Sequence, residues 1–104
     1  MASRIQQLQQ FLVQSPNDSF LRHALALEFV KEGDETQAEQ YFRENLEADP
    51  DYVATYYHLG KLLERTARGE DAMAMYEIGM AVAKAAKDMH TYSELQSAYE
   101  DLAF

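Results

Sequence analysis

The sequence contains no cysteine, which excludes disulfide bonds, thiolate metal sites and a cysteine nucleophile. It has only two prolines and four glycines in 104 residues, whereas 47% of the residues are hydrophobic. That composition predicts a packed, helix-rich fold rather than disorder. No run approaches the roughly 20 apolar residues of a membrane span, and residues 1–7 lack the apolar core of a signal peptide. We therefore expect a cytoplasmic protein without a membrane partner.

Basic residues are also scarce, since nine lysines and arginines stand against 18 aspartates and glutamates, a formal net charge of −9. Such a charge repels phosphate backbones, so nucleic acid is not expected as a partner. Solubility, adaptation to high salt and preference for a basic partner would each explain the excess of acids. The sequence leaves these three explanations open.

Motifs of catalysis and of metal binding are absent. The three histidines lie far apart and lack the i, i+4 pairing of a helical zinc site. No G-x-S-x-G, no phosphate-binding glycine loop and no EF-hand series of acids occurs. The acidic residues spread along the predicted outer helix faces, as solvated surface does. We predict no catalytic, cofactor or metal residue, and a protein that is not an enzyme.

The positions of the two prolines indicate the architecture. Pro50 ends one apolar helical pattern, and Asp51 is predicted to cap the next helix. Pro16 lies 34 residues earlier, in a similar setting that predicts Asn17 as an N-cap. Asp34 and Thr91 are the predicted caps of two later helices, while Gly33 and the turn at Arg68 and Gly69 separate helices. The apolar spacing predicts six helices, over residues 3–14, 18–32, 34–47, 52–66, 70–87 and 91–102.

Two consecutive segments share one pattern at this spacing. The first carries Leu25, Ala26, Phe29, Ala38, Phe42 and Pro50; the second carries Tyr56, Leu59, Gly60, Leu63, Ala72 and Tyr76. The pattern resembles the tetratricopeptide repeat family, with its 34-residue helix–turn–helix unit. The sequence departs from the family pattern at two positions. Arg22 occupies the first aromatic slot, where it is predicted to loosen the packing, and Lys84 stands where a third proline would fall. Within a single domain, 1–104, we predict a half-repeat over 3–16, repeats over 17–52 and 53–86, and a capping helix over 88–104.

The resemblance implies an all-α fold in which antiparallel helix pairs stack as a short right-handed superhelix. The small residues Gly60, Ala72 and Gly79 predict close helix crossings. In this family the first helix of each pair lines a concave groove, so the expected function is a protein–protein interaction module that binds a peptide or partner helix. The corresponding candidate contact residues are Phe20, His23, Leu27, Val30, Tyr57, Lys61 and Arg65.

This set is half apolar and half basic, which predicts a partner segment with hydrophobic and acidic side chains. A local interpretation is that Lys61, Arg65 and Arg68 complement the end of their helix and pair with Glu64 or acids nearby, while Phe20, Leu27 and Val30 pack on the half-repeat. A further alternative is a homodimer through the groove or the capping helix. Some family members clamp chaperone C-termini with Lys and Asn, but His23 and Leu27 occupy those slots, so that ligand is not expected.

Overall fold

The computed structural model describes residues 3–104; Met1 and Ala2, the first residues of the predicted domain, lie outside the described residues. Over 3–104 the backbone forms six α-helices and no strand, which confirms the all-α class. The helices are α1 (Arg4–Gln14), α2 (Ser19–Lys31), α3 (Glu35–Ala48), α4 (Val53–Arg65), α5 (Gly69–Ala85) and α6 (Met89–Ala103). The predicted helix limits differ from these by up to two residues, the usual uncertainty of a helix end, except at the start of α6, where the predicted cap lies three residues late. None of these helices combines the length and hydropathy that a bilayer crossing requires.

The chain divides at Pro50 into two compact units. In the first unit, α1 and α3 both pack against α2. Its core consists of apolar side chains that recur every three or four residues on the facing sides of these helices, as helix packing requires. Buried there are Leu8, Leu25, Ala26, Ala38 and Phe42.

Arg22 is also buried in the first unit, where the sequence predicted loose packing around it. Its guanidinium donates from Nε to Asn45 Oδ1 at 3.0 Å and from Nη1 to the Pro16 carbonyl at 2.8 Å. Nearby, the Ser19 hydroxyl donates to Asp49 Oδ2 at 2.6 Å. These bonds satisfy a buried charged donor that would otherwise be costly. The prediction of loose packing at Arg22 is therefore wrong. A network of hydrogen bonds connects the α1–α2 turn to α3 at this position.

In the second unit, α5 packs against both α4 and α6, and α4 makes a smaller contact with α6. Its buried apolar side chains are Tyr56, Leu59, Leu62, Leu63, Ala72, Tyr76, Ala83, Leu95 and Ala98. A Cβ atom on Gly60 would overlap the ring of Tyr76, 2.7 Å from its Cζ, and a Cβ on Gly79 would lie 2.7 Å from Tyr56 Cβ. The predicted close approach at these two glycines is confirmed.

Three of the predicted helix starts are wrong by one to three residues. The N-cap residues are Asp18 rather than Asn17, Tyr52 rather than Asp51, and Asp88 rather than Thr91. The carboxylates of Asp18 and Asp88 accept from the amides three residues on, at 3.2 and 3.1 Å, which is the favourable capping bond. The turn at Pro50 and Asp51 delays the start of α4, so that Tyr52 stands at its N-cap. Tyr52 makes no side-chain capping bond there.

Three helices end in the same way. After α2, Gly33 has φ +81°, its amide donates to the Val30 carbonyl and the Asp34 amide donates to the Phe29 carbonyl. This is a Schellman motif, and the predicted stop at Gly33 is confirmed. Ala67 after α4 and Lys87 after α5 take the same role with φ 60°. The left-handed residue of the α4–α5 turn is thus Ala67, and Gly69 instead begins α5.

Candidate functional site

The seven predicted contact residues lie on two helices, one in each unit. Phe20, His23, Leu27 and Val30 belong to α2, and Tyr57, Lys61 and Arg65 belong to α4. Both are the first helix of a predicted repeat. The α2 set lies in the first unit and the α4 set in the second.

On α2 the predicted residues differ in exposure. Phe20 is 60% exposed, whereas Leu27 and Val30 are half-buried. His23 is only 7% exposed, and its ring centroid lies 5.8 Å from that of Phe42 on α3. The side chain of His23 therefore contributes to packing between α2 and α3, and its burial does not support a direct partner contact. Phe20, Leu27 and Val30 remain as an apolar surface.

On α4 one of the predicted residues, Lys61, lies beside a carboxylate, that of Glu64. Lys61 Nζ lies 3.7 Å from Glu64 Oε2 and 5.6 Å from the centroid of the Tyr57 ring. The same Glu64 oxygen accepts a hydrogen bond from the hydroxyl of Tyr76 on α5. The Tyr57 and Tyr76 rings are tilted, with centroids 6.4 Å apart. The Lys61 ammonium and the Tyr76 hydroxyl thus meet at the Glu64 carboxylate, and the Tyr57 ring lies near both of these donors. We call Tyr57, Lys61, Glu64 and Tyr76 the α4–α5 cluster.

The surface charges of α4 partly satisfy one another. The side chains of Lys61 and Glu64 are 35% and 25% exposed, so their ion pair is in contact with solvent. The local interpretation that Lys61 pairs with Glu64 is confirmed. Arg65 is exposed in the last turn of α4, where a cation is favourable for the helix dipole.

Glu64 and Tyr76 were missed as site residues at the sequence level, although a signal was present. At the repeat spacing of 34, Val30 corresponds to Glu64 and Phe42 to Tyr76. Likewise Leu27 corresponds to Lys61 and His23 to Tyr57. Slots that hold Leu, Val and Phe in the first repeat thus hold an ammonium, a carboxylate and a phenol in the second. Comparison of the repeats slot by slot would have identified the cluster.

Burial perturbs the pKa of one side chain on α4, His58, and of one on α5, Tyr76. Burial, followed by the hydrogen bond to Glu64, raises the pKa of Tyr76 well above its usual value, so the phenol remains a donor. Burial lowers the pKa of His58 below its usual 6.5, although Glu94 opposes the shift. Over residues 3–104, no group of three or more His, Asp or Glu side chains is arranged to hold a metal ion.

Comparison with known proteins agrees with this architecture. A family model described as tetratricopeptide repeat matches residues 29–99. The crystal structure of a tetratricopeptide repeat domain protein from Salinibacter ruber is 45% identical, covering 83% of this chain and 96% of that chain, with a TM-score of 0.80. A solution NMR structure of such a protein from the same organism is 46% identical, covering 84% and 88%, with a TM-score of 0.81.

A solution structure of a protein from Bordetella parapertussis is 27% identical, covering 99% of this chain and 90% of that chain, with a TM-score of 0.84. No curated protein matches the chain. Domains of this fold are typically non-catalytic scaffolds for protein–protein interaction. From the family match and the Salinibacter structures, this chain belongs to the tetratricopeptide repeat family.

Proposed function

We propose that the chain is a non-enzymatic module that binds a protein segment carrying both apolar and acidic side chains. Each unit contributes its own contact surface: Phe20, Leu27 and Val30 of α2 in the first unit for apolar side chains, and Tyr57, Lys61 and Arg65 of α4 in the second unit for acidic ones. The observation that carries the proposal is the pair of accessible cations on α4, Lys61 and Arg65, in a chain of net charge −9. Helix α2 also contains two cations, but Arg22 is buried there. Two cations that both reach the surface of one helix favour an acidic partner in so acidic a protein.

The apolar part of the proposal is supported by the exposure of Phe20. A large aromatic side chain that is 60% exposed contributes little to its own fold, and aromatic residues are frequent anchors of protein interfaces. Leu27 and Val30 are half-buried on the same helix and would extend this contact. Binding of a partner in a concave groove, and the cytoplasmic location, stay predictions of the sequence.

Affinity capture from a lysate of the source organism tests the proposal. The bait is the wild-type chain, and the test variant combines Lys61→Glu and Arg65→Glu. The matched control combines Lys84→Glu and Lys87→Glu, two exposed lysines at the end of α5 with the same total change of charge. We expect the test variant to lose an acidic partner that the control retains, with equal helicity by circular dichroism. A partner that binds the test variant as well as the wild type would refute the basic contact.

Self-association is the second candidate function, favoured by exposed apolar side chains on α2 and α6. Phe20 is 60% exposed and Met89 is 53% exposed. Light scattering over a range of protein concentrations distinguishes the two functions. A monomer at all concentrations agrees with a free contact surface, whereas a stable dimer that is lost in Phe20→Glu or Met89→Glu would support self-association instead.

A further inference from the structure

The α4–α5 cluster is built around a carboxylate that the chain supplies itself. Glu64 receives the Tyr76 hydroxyl bond and lies 3.7 Å from the ammonium of Lys61, which is itself 5.6 Å from the centre of the Tyr57 ring. Glu64 therefore occupies the place beside Lys61 that a carboxylate of an acidic ligand would take. If a ligand carboxylate bound Lys61 beside Glu64, two negative charges would lie near one ammonium, and their repulsion would weaken ligand binding.

The cluster is held in position by the close packing beneath it. The ring of Tyr76 lies over Gly60 of α4, where a Cβ atom would overlap it, and Tyr76 is fully buried. Its hydroxyl consequently reaches the next turn of α4, at Glu64. The Tyr76 donor is thus fixed by the core, whereas the Lys61 side chain is 35% exposed and can be reached by a ligand from solvent. Glu64 thus has one fixed contact, to Tyr76, and one that solvent can reach, to Lys61. This arrangement suits a ligand carboxylate that takes Lys61 from Glu64 while the Tyr76 bond to Glu64 stays in place.

The first repeat lacks this arrangement. The slots of Lys61, Glu64 and Tyr76 are occupied by Leu27, Val30 and Phe42, which carry no charge and no hydroxyl. A cation in this slot of the second repeat is therefore accompanied by its own carboxylate and by the phenol that orients it. An isolated surface ion pair would not need the phenol.

We propose that Glu64 is an internal competitor that occupies Lys61 and thereby weakens the binding of acidic segments to α4. The proposal rests on the proposed function, since it concerns the same cation. It predicts that neutralising Glu64 tightens the binding of an acidic ligand by about fivefold, the effect of one charge at about 4 Å in a solvated setting. Glu64→Gln serves this purpose because its side-chain carbonyl still accepts the Tyr76 hydroxyl.

The test uses two fluorescein-labelled hexapeptides, one alternating aspartate with leucine and one alternating asparagine with leucine, titrated by fluorescence anisotropy. The proteins are the wild type, Glu64→Gln, Lys61→Gln and the double variant. We expect Glu64→Gln to bind the aspartate peptide about fivefold more tightly than the wild type, with no change for the asparagine peptide. In the Lys61→Gln background the gain should disappear, because Glu64 then has no Lys61 ammonium to occupy.

The outcomes separate this proposal from the proposed function. If Lys61→Gln weakens the aspartate peptide but Glu64→Gln changes nothing, Glu64 is not a competitor, while the basic contact stands. If the Glu64→Gln gain persists without Lys61, the effect is a general loss of negative charge, and the competitor proposal is overturned. If all four proteins bind both peptides equally, or none, the basic contact fails and the competitor with it. Circular dichroism of each variant confirms that the helices are intact.

Discussion

At the scale of single residues, the glycines of the second unit differ in what surrounds them. A Cβ atom at Gly60 would overlap the buried ring of Tyr76, whereas a Cβ at Gly69 would meet no atom within 4 Å. Both residues are helical, and neither has a positive φ. The same substitution at the two sites therefore separates the cost of crowding from the gain in helix propensity.

We expect Gly60→Ala and Gly69→Ala to change stability in opposite directions. At Gly60, alanine gains about 0.5 to 1 kcal/mol of helix propensity, but overpacking against a ring that cannot retreat costs about 1 to 3 kcal/mol. The net effect should be a loss of up to about 2.5 kcal/mol. At Gly69 only the gain remains, about 0.4 to 1 kcal/mol. Urea denaturation measures both, and a Gly60→Ala variant as stable as Gly69→Ala would contradict the close helix crossing.

At the scale of helices, much of the fold follows from the sequence because it depends on spacing alone. The 34-residue period and the apolar faces predicted six helices, and the small residues at Gly60 and Gly79 predicted where α4 and α5 approach. These features need only helical geometry and the sizes of side chains. The structure differs from the prediction where a polar side chain has several possible hydrogen-bond partners.

Arg22 shows why such hydrogen-bond partners cannot be predicted from a sequence pattern. In a slot that the family fills with an aromatic residue, its charge suggested a defect, yet Asn45 and the Pro16 carbonyl satisfy the guanidinium. Asn45 lies 23 residues from Arg22, and the acceptor at Pro16 is a backbone carbonyl, which a side-chain motif does not describe, so no local rule identifies them. The Tyr76 hydroxyl and Glu64 are a second case, since the motif describes only the ring of the aromatic residue. The apolar scaffold was predictable, whereas the polar contacts needed three-dimensional geometry.

The packing of α4 also creates a pH-sensitive position at His58. Burial lowers the pKa of His58, Arg65 lowers it further, and Glu94 on α6 only partly opposes them. Below about pH 6.5 the unfolded chain protonates this histidine while the folded chain resists, so the unfolded state binds more protons. The free energy of unfolding should therefore fall as the pH drops through 6.5, by less than about 1.4 kcal/mol per pH unit from this one group.

Urea denaturation at about pH 7.5, 6.5 and 5.5 measures this effect, since stability above pH 6.5 is unaffected by the histidine. We expect His58→Gln to lose less stability than the wild type over this interval. The control is His90→Gln, because the His90 side chain is 88% exposed and should leave the wild-type fall in place. An equal fall in wild type and His58→Gln would show that burial of His58 does not influence stability in this range.

At the scale of the whole molecule, the negative charge is unevenly placed with respect to the helix dipoles. All 18 acidic residues lie at position 18 or later, and the last turn of α3 contains no basic residue. Glu32 follows the last turn of α2, and Glu47 lies in the last turn of α3, where a negative charge is unfavourable. Glu70 and Asp71, in contrast, lie in the favourable first turn of α5. A net charge of −9 adds general self-repulsion to these local terms.

Salt should therefore stabilise the folded chain. Neutralising acids at unfavourable positions should give part of the same stabilisation at low salt. Between about 20 mM and about 500 mM NaCl the screening length falls several-fold, so self-repulsion weakens and the melting temperature should rise. The double variant Glu32→Gln and Glu47→Gln should gain about 0.5 to 2 kcal/mol at low salt and little at high salt. Its matched counterpart, Glu70→Gln with Asp71→Asn, removes the same charge from a favourable position and should gain less or lose stability. If both double variants stabilise the chain equally, net charge alone governs the salt response. If neither variant stabilises the chain and salt has no effect, the acidic surface does not influence stability, and its role lies in solubility or in partner selection.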